Sequence, residues 1–472
     1  MSQLPDYVAS ATPNPADKRA PWLTTTAATY AGIMLWFVFW SGVPGGGAGA
    51  AGGVLSQGLL FALGALVVAA FICHFCFYYV PGMLGMKTGL PLYIVGTSTY
   101  GVNGGFLMPG FLMGCLQFGW LSVNGYFAGL GFALMAGGQS GDAMHLGIGV
   151  VWAIIAAFVG LKGIKYVGMV ASYMPIIPVV VLLYLLYSTI GGAFQFDPAK
   201  AVGEGKAIGL YGSGVLGSLS GQLGVLSLVC AYVVGFFATA GAAGCDFGSN
   251  NKDAKAVQLG GLVGIAGATI FTGGIALIAI AGAQGTLAGS AEPLDPYKSL
   301  KLLTGDGIGG LFMLLLAVAA FPSACFSSFI AANSFKTTLP KVNPFISCGI
   351  GTLVACILIV SKAAGNAGAV FTLIGASFGP VCGAMMADYL LAGKKWAGPR
   401  AGFNPAGWIS WIVGFFVGGI TLLVEVFLGG TMPVQIPCPP VSAFVVSFVL
   451  YYLLAKAGME SKKLDMPQRI DK

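Results

Sequence analysis

Long apolar runs separated by short polar segments recur along the whole chain. A membrane-spanning helix needs about 20 mostly apolar residues, and twelve stretches meet that demand, near residues 24–44, 55–79, 104–136, 145–161, 166–191, 222–244, 257–282, 308–333, 344–361, 366–391, 408–428 and 437–455. The pattern predicts an all-α integral membrane protein with about twelve transmembrane helices. Two connections are longer, residues 192–221 with Asp197, Pro198 and Glu204, and residues 283–307 with Glu292, Pro293, Asp295 and Pro296. Both are expected to be solvated loops with room for a short surface helix.

Composition agrees with this reading. With 57% hydrophobic and only 8% charged residues among 472, and a mean hydropathy of +0.88, the chain carries more apolar surface than a soluble core can hide. Charge then orients the helices. If residues 1–23 form a cytoplasmic tail, seventeen of the twenty-two basic residues fall on the cytoplasmic side, and only Lys200, Lys206, Lys298, Lys301 and Lys362 lie outside. That is the positive-inside bias, and an even number of helices returns residues 457–472 to the cytoplasm. The expected location is the cell membrane, inner or plasma, with multiple passes. The N-terminal residues lack the apolar core of a signal peptide. Cys73 and Cys76 flank His74 with no second ligand pair, so they are expected to be structural, since a free cysteine behaves as a small buried hydrophobe.

Glycine marks the candidate site. The stretch from Val233 to Cys245 is apolar yet contains Gly235, Gly241 and Gly244, and the first span contains Gly32, Gly42 and the run Gly45 to Gly47. Freed backbone groups at membrane depth are tolerated only where they line a cavity or are buried in protein. Interrupted helices at corresponding places in two halves point to a transporter with inverted repeats and a midplane site. The sixth span is therefore expected to be a broken helix beside a substrate.

Four segments carry a resemblance to a known family. They are FWSG at Phe39 to Gly42, GMKTGLP at Gly85 to Pro91 running on to Trp120, VGFFATAGAAGCDFG at Val234 to Gly248, and GPVCGAMMADYLL at Gly379 to Leu391 followed by GFNPAGWISWIVG at Gly402 to Gly414. In their order and spacing the chain resembles the nucleobase-cation-symport-1 transporters of the purine-cytosine permease type, and among them the cytosine permeases, over roughly residues 18–420. The resemblance implies a LeuT-like core of two inverted five-helix repeats plus two C-terminal helices. The first repeat would span residues 24–191, the second residues 222–391, and the added helices residues 392–456. It implies import of a nucleobase or related planar heterocycle with a cation.

The same resemblance implies the site. Trp120 and Phe237 match the family's two stacking positions, Thr239 matches a serine in the sixth-helix break of cytosine permeases, and Trp36 lies on the first helix. Gln117 and Asn124 lie three residues before and four after Trp120, which a helix brings onto nearly one face. Stacking between rings with a few hydrogen bonds suits a flat heterocycle. Sodium ligands would be the carbonyls of Ala31 and Met34 and the hydroxyls of Ser323 and Ser327.

Two departures from the family follow. Cytosine permeases carry an asparagine on the eighth helix where this chain has Ala319, which leaves the identity of the heterocycle open. The expected pair of hydroxyl residues falls on Pro322 and Ser323, which thins the sodium site. Sodium is favoured over a proton, because Asp246 and Asp388 fall at helix ends, Glu425 lies near an outer end, and intramembrane carboxylates are the usual proton relays. No cofactor is implied, and a monomer is expected to suffice. A membrane enzyme would need a nucleophile with its base or a metal cluster, and no HExxH or GxSxG spacing occurs. A channel would want a pore signature. An amino-acid or vitamin transporter on the same fold remains an alternative.

Overall fold

The computed structural model describes residues 4–34, 53–162, 176–199, 221–286, 296–430 and 436–466. Among them regular structure is helical apart from two isolated bridges, Ala20 with Asn251 and Arg400 with Lys463. Twelve principal helices correspond one to one with the twelve apolar runs. They are α1 (23–34), α2 (Leu59–Thr88), α3 (Thr97–Met135), α4 (Ala143–Leu161), α5 (Ile176–Ala193), α6 (Gly221–Ala242), α7 (Ala254–Thr286), α8 (Gly307–Lys336), α9 (Pro344–Val360), α10 (Ala367–Leu391), α11 (Pro405–Leu428) and α12 (Pro439–Lys456). Ten of these are long and apolar enough to cross a membrane. Of the other two, α9 has 17 residues, at the lower limit for a span, and α1 is described only as far as Met34.

Packing sorts the helices into two groups. Helix α2 touches α6 and α7, α1 touches α7 and reaches α2 and α6 through Tyr30, and α3, α4, α8 and α9 touch one another. Helix α5 lies on α7 and α8, while α10 lies on α6, with α11 and α12 against it. This is the grouping expected when helices 1–5 and 6–10 have equivalent roles: α1 and α2 pair with their counterparts α6 and α7, and α3 and α4 with α8 and α9. Small residues let the backbones meet. A methyl group at Gly129 would lie 2.7 Å from the Gly149 nitrogen at the α3–α4 crossing, and one at Gly235 would lie 2.6 Å from the Phe371 carbonyl at the α6–α10 crossing.

Prolines set the bends. Pro109 lies in a π turn, Phe106–Leu112, inside α3. Pro322 lacks the N–H that would bond the Val318 carbonyl, and the helix of α8 is interrupted at Ala320. Farther back, α3 opens with a left-handed Gly101 (φ +80°). A side chain there would strike the Gly402 carbonyl, and that carbonyl accepts from Asn103 N at 2.9 Å while the Arg400 carbonyl accepts from Val102 N at 2.8 Å.

Both chain ends are docked on the end of the molecule that carries Lys87, Lys336, Lys394 and Arg400, hereafter the basic end. Arg19 donates to the Met86 carbonyl at 2.6 Å and Asn14 to Ser249 O at 3.1 Å. At the other terminus, Ala401 N bonds Lys462 O and Leu464 N bonds Pro399 O. A buried ionic cluster joins these parts. Arg400 pairs with Asp388 at 3.0 Å and with Glu460 at 2.6 Å. Ser98 and Thr99 donate to Asp388 at 2.6 and 3.2 Å, and Tyr451 donates to Glu460 at 3.0 Å. The start of α3, the ends of α10 and α12 and the C-terminal segment are thereby tied together.

Candidate substrate site

Helix α6 is the most enclosed of the candidate spans, 89% buried against 28% for α11. Its glycines do not unwind it before Ala242, and the helix is interrupted at Ala243, inside the Val233–Cys245 stretch, after a π turn at Cys230–Gly235. Close packing explains why. A methyl at Gly241 would lie 2.8 Å from Phe77 Cβ on α2, and one at Gly244 would lie 2.7 Å from the Tyr78 ring. The glycine interruption of the first span, Gly42 to Gly47, and Trp36 lie outside the described residues.

Trp120, 9% exposed, stands on α3 facing α6 and α10. Its ring centroid is 3.9 Å from that of Phe236, at an interplanar angle of 66°, and 5.2 Å from that of Phe371. Tyr232 meets Phe371 edge-on at 5.9 Å. The ring against Trp120 is therefore Phe236, one residue before the expected Phe237. Phe237 is buried and turned toward Tyr30 at 5.6 Å. A π turn inserts one extra residue into a helical turn and so rotates everything after it; the Cys230–Gly235 turn makes it unreadable from sequence which of two adjacent phenylalanines faces α3. Phe371 carries no sequence signal at all, because only the approach of α10 to α6 brings it there.

The polar candidates divide. Gln117 is buried, and its amide nitrogen has only the Met113 sulfur, at 3.5 Å, as a partner among the described residues. Thr239 is buried on α6. Asn124, in contrast, is fully engaged: its amide donates to Ala320 O at 3.0 Å and to Ser323 Oγ at 2.8 Å, and its carbonyl oxygen accepts from Trp152 Nε1 at 3.1 Å. It spans α3, α4 and the interruption in α8. Ala319 is buried beside that interruption.

Of the four expected sodium ligands, Ser323 donates to Ala320 O at 2.8 Å while accepting from Asn124, and Ser327 donates to Ser323 O at 3.3 Å. Ala31 and Met34 lie on the described end of α1, which touches the segment of α8 that carries both serines. The four come from adjoining helices. His145 is a structural group, held by Tyr126 O at 2.8 Å and Gly141 N at 2.8 Å. His74 is enclosed by Phe75, Tyr78 and Tyr79 on α2.

One turn from Gln117 toward the basic end is Met113, and one turn from Thr239 is Ala243, whose N–H bonds the Thr239 carbonyl at 2.9 Å. Met113 and Ala243 begin the lining of a cavity of about 360 Å³ that continues over Asp246, Phe247, Phe329 and Lys336. Asp246 lies beyond the end of α6, and burial pushes its carboxyl up to about 6. Its Oδ1 accepts from Leu92 N at 3.3 Å. Sequence reading placed Asp246 only as a helix-end charge, and nothing in the pattern signals the cavity.

The fold is similar to that of Mhp1, a nucleobase-cation-symport-1 family transporter, in a closed conformation with bromovinylhydantoin bound, with a TM-score of 0.65 and 14% identity over 96% of this chain and 95% of that one. It is likewise similar to inward-facing Mhp1, with a TM-score of 0.67 and 16% identity over 97% and 94%, and to a Na⁺-coupled sialic acid symporter, at 0.53 and 14% over 97% and 93%. At such identities the likeness is one of fold. No curated protein matches the sequence. Residues 47–424, well over half of the chain, match the permeases for cytosine/purines, uracil, thiamine and allantoin; the chain belongs to that family, and it is an integral membrane transporter and not an enzyme.

Proposed function

We propose that this protein is a secondary active transporter that imports a planar nitrogen heterocycle, a nucleobase or a hydantoin-like ring, together with a cation. The observation that carries this reading is Trp120, enclosed by Phe236 and Phe371 and one turn from Gln117, an amide whose nitrogen has only a sulfur partner among the described residues. A flat ring stacked on the indole would gain apolar contact on its face and hydrogen bonds at its edge from Gln117 and Thr239. Phe237 would enter as a second wall if α6 rotates during transport. Asn124 holds the α8 interruption in place instead of touching the substrate. Two inverted repeats, residues 24–191 and 222–391, account for the pairing of the helix groups, and the basic end faces the cytoplasm by the positive-inside rule. The protein works as a monomer.

Sodium is the coupling ion in this reading, bound by the Ala31 and Met34 carbonyls and the Ser323 and Ser327 hydroxyls, since a hard cation selects oxygen. Asp246 favours a second reading in which a proton is the coupling ion: its carboxyl, raised to about 6, lines the cavity below the site. A thermal-shift screen of purines, pyrimidines, hydantoins and vitamins on the purified protein tests the substrate class, because a ligand that binds the native state raises its apparent stability. Uptake in proteoliposomes with sodium replaced by choline at constant pH tests the ion. Stabilisation by no heterocycle would sink the substrate reading, and full uptake in choline would sink sodium. Trp120→Ala should weaken binding roughly 5- to 150-fold, the loss of about 1–3 kcal/mol typical of a stacked ring; unchanged binding would refute the stacking role.

A further inference from the structure

The cavity at the basic end has chemistry of its own. Its volume of about 360 Å³ lies in the range of small-ligand pockets. Three aromatic side chains, Tyr93, Phe247 and Phe329, line it together with the carboxylate of Asp246. One oxygen of that carboxylate takes the Leu92 N–H at 3.3 Å, and the side chain lines the cavity. A carboxylate has several acceptor positions, so one that lines a cavity can take a donor from a ligand in addition to the backbone N–H. Phe247 also stacks edge-on with Tyr30 at 5.2 Å, and Tyr30 in turn meets Phe237 at 5.6 Å. Tyr30 thus links Phe237 on α6 to the wall of the cavity.

We propose that this cavity is a second binding site, on the release side of the first, for a flat heterocycle bearing ring N–H groups. Asp246 accepts the N–H, Tyr93, Phe247 and Phe329 provide the apolar walls, and Lys336 at the edge favours a ring carbonyl. A carboxylate acceptor selects N–H donors and rejects anions, so an N–H-poor or acidic ring passes without dwelling. The site rests on the transport reading above, and it adds a resting point between the central site and the cytoplasm.

Equilibrium dialysis on the full-length purified protein tests it, with radiolabelled cytosine, uracil, hypoxanthine and allantoin as probes. The expected isotherm for an accepted probe has two classes of site. Asp246→Asn should weaken one class tenfold or more and leave the other in place, whereas Trp120→Ala should remove the other. Ser334 on α8 also lines the cavity, so Ser334→Trp, which fills it and leaves Asp246 intact, should abolish the same class as Asp246→Asn and serves if that variant does not fold. A single class of site, lost with Trp120→Ala and untouched by both cavity variants, overturns the second site while the central one stands. Binding of no probe overturns both readings together.

Discussion

Replacing Asn124 by leucine separates a structural clamp from a substrate ligand. The side chain donates to Ala320 O at 3.0 Å and to Ser323 Oγ at 2.8 Å, and accepts from Trp152 Nε1 at 3.1 Å. Each such bond contributes about 0.5–1.5 kcal/mol net. Leucine has the same branched shape and is somewhat larger, so no cavity opens and the loss is mainly polar. The Ala320 carbonyl keeps the Ser323 hydroxyl at 2.8 Å, but the indole N–H of Trp152 loses its partner. The sum is about 2–4 kcal/mol, or on the order of a hundredfold in the folding equilibrium. Unfolding from mixed micelles by SDS, followed through tryptophan fluorescence, measures it, with heterocycle affinity measured in parallel. The reasoning predicts a clear drop in stability and an affinity within a few-fold of the parent. A variant of unchanged stability whose affinity falls more than tenfold would refute the clamp and restore Asn124 as a ligand.

Asp388→Asn strips the charge facing the buried Arg400, and Glu460 at 2.6 Å keeps part of the compensation; the expected loss is about 3 kcal/mol, the low end for breaking a buried pair, read from the same SDS titration. Gly85→Ala drives a methyl group into the Cys245 carbonyl where α2 crosses the turn after α6, and overpacking of this kind costs about 1–3 kcal/mol, seen as a lower yield of monodisperse protein. The Asp246 carboxyl, raised to about 6 in the fold against about 3.9 in an unfolded chain, favours the protonated native state. Its contribution is present below about pH 4 and is lost as pH rises through 6. The stability advantage of Asp246→Asn over the parent should therefore widen between pH 4 and pH 7; a gap that stays constant would show that burial does not perturb this group.

Twelve apolar runs and the distribution of lysine and arginine determine, without coordinates, that the chain is a helical membrane protein, because a helix in lipid must satisfy its own backbone and needs a fixed length to do so. The approach of Trp120 on α3 to the phenylalanine pair of α6 was legible as well, since motif order places them on helices that meet. Other features were settled only by tertiary structure. The choice of Phe236 over Phe237 depends on a π turn that leaves no mark in the hydrophobic pattern. Phe371 reaches Trp120 because glycines at 235 and 375 let α10 lie on α6. Asn124 looked like a ligand by its position on α3, yet its amide bonds the Ala320 carbonyl and the Ser323 hydroxyl at the interruption in α8. Asp246 read as a helix-end charge, and the fold encloses it beside a cavity. In each case the deciding quantity is a relation between helices far apart in sequence, which periodicity along one helix cannot encode.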